Sequence, residues 1–360
     1  MALHEVKMAT LPRTSFDFDH YDPEASVRTI LQHFRPDWFE RLESERLKIE
    51  DVTGGYTNKL VVIYFDEDPL EKILIRIHGE DTEKNIDRKA ELRTLQILSE
   101  RKICGEVYGV FGNGMCYEYV KGEALEQEMT ADPHISKLVI EKMVHLHCIY
   151  RHKGSHPHTS LFDKLHTMLR QSPKTFSDPT TENTFRSLDF PNHKYFEAEI
   201  NFLQTELTVH ESNVSPEVFC HNDLFYRNIL YDEDADQIRF IDFEYAGLNY
   251  QAYDIGNHFN EWCGVDDVDY SRYPSREVQM VWLRYYLQCW HHAHGREGDV
   301  VGEEEVERMY LTVNRFALVA HLFWIIWSFQ QAESSSIEFD YLTYGKKRLD
   351  EYQKRKAVLF

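Results

Sequence analysis

Residues 220–254 read CHNDLFYRNILYDEDADQIRFIDFEYAGLNYQAYD. His221, Asp223 and Asn228 form an HxDxxxxN pattern, and Asp242 follows the run Ile238–Ile241. The polar positions stand in register with two strand-like runs, Asn228–Tyr231 and Gln237–Ile241, so the segment reads as a loop, a short hairpin and a final carboxylate. Moving a phosphoryl group onto an alcohol needs a carboxylate to take the hydroxyl proton, and oxygen ligands for the Mg²⁺ that bridges the phosphates. Asp223 suits the first role; Asn228 and Asp242 suit the second. Asp and Asn are also common turn formers. A single Asp-x-x-x-x-Asn would fit a plain surface loop, but three polar positions in register with two strands do not.

The set is close to that of protein kinases but departs from it, with HND where HRD would stand and Asp242-Phe243-Glu244 where DFG would stand. The missing Arg and Gly serve activation-loop switching, which a kinase of small molecules does not need.

Working outward, residues 1–45 are polar, with a helix expected from Pro23 to His33, and read as an extension rather than a core element. Leu47–Val52, Leu60–Phe65 and Lys72–Ile77 alternate as strands around Gly54-Gly55 and the turn Asp66–Pro69; a helix over Glu83–Glu100 and the hairpin Val107–Phe111, Met115–Val120 follow. Helical periodicity then dominates, as in Ser136–Ile149, Tyr195–Leu207, Arg276–Trp290 and Glu304–Phe329, with short helices and loops over 152–195. The expected fold is α+β, bilobal and protein-kinase-like. A small antiparallel-sheet N-lobe with one helix (46–120) precedes a large, mainly helical C-lobe (121–360).

Gly54, Gly55, Thr57, Asn58 and Lys59 lie between two strands, where backbone N–H groups and short polar side chains can meet phosphates. A Gly-Gly hairpin turn is the plainer alternative. Arg76, in ILIRIHG, offers a bidentate fork for phosphate, with Glu91 on the next helix to hold it; an exposed strand arginine paired with a surface acid is the alternative. Glu118 and Tyr119 end the last strand, where backbone groups would meet adenine. Trp324 and Trp327 share a helix face, and Phe339, Tyr341 and Tyr344 follow. With Glu244, Tyr245, Glu261 and Trp262 they could form a cage for an ammonium ion, although an aromatic helix stripe is more often core. His291, His292 and His294 lack a carboxylate or cysteine at ligand spacing, and His145 and His147 diverge on a helix, so neither set makes a metal site.

The net charge of −21 argues against nucleic acid or an anionic membrane as the main partner. Six scattered cysteines without CxxC read as reduced thiols. The apolar stretch Phe316–Phe329, broken by His321 and Ser328, falls short of the roughly 20 residues of a membrane span. Residues 1–20 show no apolar signal segment. A cytoplasmic enzyme without stable membrane insertion is expected, and a homodimer is left open.

GGYTNKL, ILIRIHG, FGNGMCYEYVKGEAL, CHNDLFYRNILY, FIDFEYAGLNYQAYDIGNHFNEW, VNRFALVAHLFWIIW and SIEFDYLTY together resemble the choline/ethanolamine kinase family, and the ethanolamine kinases most. The resemblance runs from about residue 50 to 350. It implies ATP-dependent phosphorylation of an amino alcohol, the first committed step of phosphatidylethanolamine synthesis from free ethanolamine, with ATP and Mg²⁺ as cofactors. By motif match Asp223 is the base, Asn228 and Asp242 the Mg²⁺ ligands, and the Gly54–Lys59 loop and Arg76 the phosphate ligands. Glu244, Tyr245, Glu261, Trp324, Trp327 and Tyr344 form the amine pocket. FIDFEY and NHFNEW look like choline kinases, whereas GVDDVDYSRYP and MCYEYVKGEAL look like the ethanolamine branch. A choline or dual-specificity kinase is therefore the alternative. An aminoglycoside-type phosphotransferase and a catalytically dead binding scaffold are the other rivals.

Overall fold

Three strands pair where alternation predicts them. In the computed structural model, which describes residues 11–52, 58–78, 88–149, 159–209, 215–335 and 337–360, β1 (Leu47–Val52), β2 (Asn58–Phe65) and β3 (Asp68–His78) run antiparallel. They join β4 (Val107–Phe111) and β5 (Gly114–Glu118) in a five-stranded sheet of order β1-β2-β3-β5-β4. Strand β3 starts earlier than its alternation suggested, because a bulge at Tyr64/Phe65 lets Asp68 pair with Phe65. A helix, α3 (Arg88–Glu100), lies between β3 and β4 in sequence.

Residues 18–38 pack into the sheet's core rather than extending from it. Asp22 caps α1 (Pro23–Phe34) by accepting from Ala25 N at 3.1 Å, and Pro23 supplies a pre-set first turn. From α1, Val27, Ile30, Leu31 and Phe34 join Phe18 and Trp38, on α2 (Pro36–Arg41), in one core with Val61, Ile63, Phe65, Ile73, Ile75 and Ile77 of the sheet. Burying such side chains stabilises by about 1.5–3 kcal/mol each. Gly109 permits the contact, since a Cβ there would lie 2.2 Å from the Phe34 ring. The polar surface of these helices hid an apolar stripe that only the sheet completes.

The chain divides into two units, Met1–Lys121 and Gly122–Phe360. In the second, β6 (Glu123–Ala124) borders the hairpin of β8 (Ile229–Asp232) and β9 (Gln237–Phe240), while β7 (Glu217–Cys220) pairs with β10 (Gly247–Tyr250). The rest is helical: α4 (Pro133–His147), α5 (Leu161–Gln171), α6 (Pro179–Ser187), α7 (His193–Thr208), α8 (Gln251–Glu261), α9 (Arg276–Ala293), α10 (Glu303–Ser334) and α11 (Tyr341–Leu359). Gly256 lets α8 press on α10, because a Cβ would come within 2.6 Å of Val313 O.

Helix α10 is longer than its apolar stretch suggested. It has 32 residues, and an 18-residue window of mean hydropathy 1.4 would by length and composition suit a membrane. Yet 78% of that window is buried within the fold, as in a core helix. All six cysteines are free thiols.

Candidate active site

His221, Asn222 and Asp223 follow β7, and their backbone is held from behind. Asp254, on α8 and fully buried, accepts the N–H of His221 at 2.9 Å and that of Asn222 at 2.7 Å. Burial works against the Asp254 carboxylate, but the His147 hydrogen bond and its charge, with His221, bring its pKa below the usual carboxylate range. His147 Nε2 lies 3.0 Å from Asp254 Oδ2, and its Nδ1 lies 2.6 Å from the Tyr286 hydroxyl. Asn222 adopts a left-handed φ of 67°, a conformation that Asn tolerates better than most residues.

The loop then turns through residues 226–228 into the β8–β9 hairpin. Asn228 Nδ2 donates to the Asp223 backbone carbonyl at 2.9 Å and to its carboxylate at 3.3 Å. Ile241 N donates to Asn228 O at 3.0 Å, and His221 Nε2 donates to Ile241 O at 2.9 Å, so the hairpin returns Asp242 beside Asn228. Asp242 is also left-handed (φ 60°, ψ 63°), backbone strain of the kind that collects at functional sites. Burial first, then the charges of Glu261, Asp242 and Glu244, raises the Asp223 pKa well above the carboxylate range, against the lowering effect of Arg348.

This donor set fits a hard divalent cation. Asn228 turns its Nδ2 toward Asp223, which aims its amide oxygen away from that residue, and Asp242 adds a carboxylate amid like charges. His147, Cys220 and Asp254 also bring donor atoms within 4.8 Å of one another. They form a hydrogen-bonded cluster instead, because both His147 nitrogens are engaged and the Cys220 thiol donates to the carbonyls of Val218 and Tyr250.

The aromatic residues lie together in one cluster. Trp324 and Trp327 have ring centroids 5.3 Å apart; Tyr245 meets Trp324 at 5.5 Å, and Trp327 meets Tyr341 at 5.5 Å and Tyr344 at 6.4 Å. Phe339 closes on Tyr341 at 4.9 Å and on Tyr344 at 5.6 Å. Trp327 Nε1 donates to the Tyr245 hydroxyl at 3.1 Å.

Two predicted pocket residues differ from expectation. Trp262 turns away, its rings against His258 and Phe259 and its N–H donating to His258 Nε2 at 3.2 Å; among the described residues no ring contact joins it to the Tyr245 group. Glu261 is engaged by Arg348 at 2.5 Å in a pair buried on both sides, and the Arg348 guanidinium lies 4.8 Å over the Tyr344 ring. Its charge is therefore compensated within the protein. Glu244, half-buried, is the acid next to the rings whose field bears on Lys164.

Sequence reasoning missed Asp254, Asn222, Asn257, Phe323, Lys164 and Arg348. Asn257 accepts from Trp324 Nε1 at 2.8 Å and donates to Asn222 O at 3.3 Å, while Asn222 Nδ2 donates to Tyr245 O at 2.9 Å. The Asp223 loop and the ring cluster thus share one hydrogen-bond chain. The signal was the spacing Asp254, Asn257, Glu261, one face of a helix.

In the first unit, Lys59 is exposed and pairs with Asp51 at 3.3 Å, whereas Arg76 is buried in β3 opposite Leu60 and Met115. The N–H of Glu118 donates to Glu106 O at 2.8 Å and that of Tyr119 to Lys72 O at 3.4 Å, so both are engaged within the sheet. Gly54, Gly55 and Thr57, and the side chains of Asn58 and Glu91, lie outside the described residues.

The chain as a whole is similar to known proteins. The family model described as choline/ethanolamine kinase matches residues 49–353. Human ethanolamine kinase 2 is 41% identical over 327 residues, covering 91% of this chain and 80% of that protein. Among solved structures, the ethanolamine kinase of Plasmodium vivax superposes with a TM-score of 0.76 at 27% identity, covering 93% of this chain and 89% of that one. The choline kinase of Cryptosporidium parvum gives 0.74 at 25% identity, covering 92% and 95%.

Proposed function

We propose that this chain, which belongs to the choline/ethanolamine kinase family, transfers the γ-phosphoryl group of ATP to the hydroxyl of ethanolamine. The observation that carries this reading is the chain from Trp324 through Asn257 and Asn222 to the Asp223 loop. It fixes the amine-binding rings relative to the proton acceptor. An amino alcohol whose ammonium sits on those rings presents its hydroxyl to Asp223.

Asp223 takes the hydroxyl proton as the oxygen attacks; its raised pKa makes it a stronger base than an ordinary carboxylate. Asn228 Nδ2 holds that carboxylate in place. Asn228 and Asp242 are the proposed Mg²⁺ ligands, and bound Mg²⁺ supplies charge neutralisation on the phosphate oxygens. The Gly54–Lys59 loop, Arg76 and Glu91 are proposed for the ATP phosphates, and the Glu118–Tyr119 backbone for adenine. Tyr245, Trp324, Trp327, Phe339, Tyr341 and Tyr344 are proposed to hold the ammonium by cation–π attraction, with Glu244 as its carboxylate. Glu261 acts there through Arg348, and Trp262 supports α8 from behind. A cytoplasmic location and a homodimer belong to the same proposal. Family membership sets aside the aminoglycoside reading, and the intact Asp223, Asn228 and Asp242 speak against a dead scaffold.

The test is ADP release measured with ethanolamine, with choline and with ethylamine, which has no hydroxyl. Turnover is expected with ethanolamine above choline and only background with ethylamine. Equal release with ethylamine would mean transfer to water and would overturn the reading.

A further inference from the structure

The ring cluster already carries a cation of its own. Lys164, on α5, places Nζ 5.2 Å from the centroid of Tyr245 and 5.2 Å from that of Phe323. Phe323 meets Tyr245 at 6.1 Å and Trp324 at 5.1 Å, so it is continuous with the cluster. Lys164 keeps solvent access, as expected for a side chain bordering an open site rather than filling a core. Desolvation among the surrounding groups brings the Lys164 pKa below the ordinary lysine value, and the Glu244 carboxylate opposes that shift by favouring the charged form. A substrate ammonium on this cluster therefore meets a like charge where Tyr245 and Phe323 would otherwise offer it ring faces.

We propose that Lys164 is the specificity-determining residue of the amine site, occupying the Tyr245–Phe323 faces so that a small primary ammonium is accepted and a trimethylammonium is disfavoured. This rests on the amino-alcohol kinase reading above. The physical difference lies in what each cation can do beside a resident ammonium. A primary ammonium is compact and donates N–H bonds to carboxylate or carbonyl acceptors such as Glu244, which offset the repulsion. A quaternary ammonium has no donor, needs ring faces on several sides, and carries three methyl groups into space the lysine stem takes up.

The test compares kcat/KM for ethanolamine and choline in the wild type and in Lys164→Ala, Lys164→Met and Lys164→Arg. Choline binding is followed in parallel by quenching of tryptophan fluorescence, because Trp324 and Trp327 lie in the cluster, and thermal melting confirms folding. The choline-to-ethanolamine ratio is expected to rise about tenfold or more in the Ala and Met variants, mainly through a lower KM for choline with tighter choline binding. It should stay within about twofold of wild type in Lys164→Arg, which keeps the charge. An unchanged ratio in Ala and Met, or an equal fall for both amines, would overturn the proposal. A wild type that phosphorylates neither amine would instead defeat the kinase reading itself, so the two failures are distinct.

Discussion

His147 Nε2 and Asp254 Oδ2 lie 3.0 Å apart with both side chains fully buried, directly behind the loop that carries Asp223. The Asp254 carboxylate serves three donors: this imidazole and the backbone N–H groups of His221 and Asn222. Replacing Asp254 by Ala strands all three in a buried site. Each buried donor left unpaired costs about 1–3 kcal/mol, a loss read from urea denaturation, with a fall in kcat measured where the variant remains folded.

The same carboxylate sets a pH dependence. Its pKa in the folded chain is lowered, burial being outweighed by the His147 hydrogen bond and its charge. A depressed folded pKa contributes stability that is fully present above the unfolded value of about 3.9 and is lost as pH falls through the folded value. The denaturation midpoint of the wild type should therefore drop on acidification below about pH 4, and drop less steeply in Asp254→Asn. Parallel slopes would mean that Asp254 does not contribute.

Asp223→Asn keeps the shape of the loop but cannot take a proton. Its kcat should fall by about 10²- to 10⁴-fold, while quenching by bound ethanolamine at the Trp324–Trp327 pair stays near wild type. Near-normal turnover would remove Asp223 as the base.

Trp327 joins both halves of the ring cluster, meeting Tyr341 edge-on and donating to the Tyr245 hydroxyl. Trp327→Ala should raise KM for ethanolamine by about 2- to 30-fold, the span of a cation–π contact of about 0.5–2 kcal/mol. Trp262→Phe should leave KM nearly unchanged, because Trp262 faces His258 and Phe259 instead.

Trp38 is 1% exposed and packs on Phe65 at 5.0 Å. Trp38→Ala should destabilise the first unit by about 3–5 kcal/mol, seen as a lower melting temperature. A negligible shift would restore the view that residues 1–45 are an appendage.

What the sequence by itself determined is the chemistry and most of the framework. The HxDxxxxN loop, hairpin and Asp242 form one contiguous segment, so chain connectivity alone keeps them close, and strand β1 and strand β4 fell where alternation put them. Trp324 and Trp327 had to share a face because helical spacing dictates it. Tertiary structure alone decided what those faces meet. Helix α11 and the helix carrying Asp254 are rich in polar and aromatic residues, and their local pattern does not say which neighbour buries them. Asp254 reaches the Asp223 loop, Arg348 claims Glu261, Trp262 turns inward and Lys164 takes the Tyr245 face only because segments far apart in sequence pack together. Local periodicity fixes the direction of a side chain relative to its own element, and the partner at its tip is chosen by packing between elements.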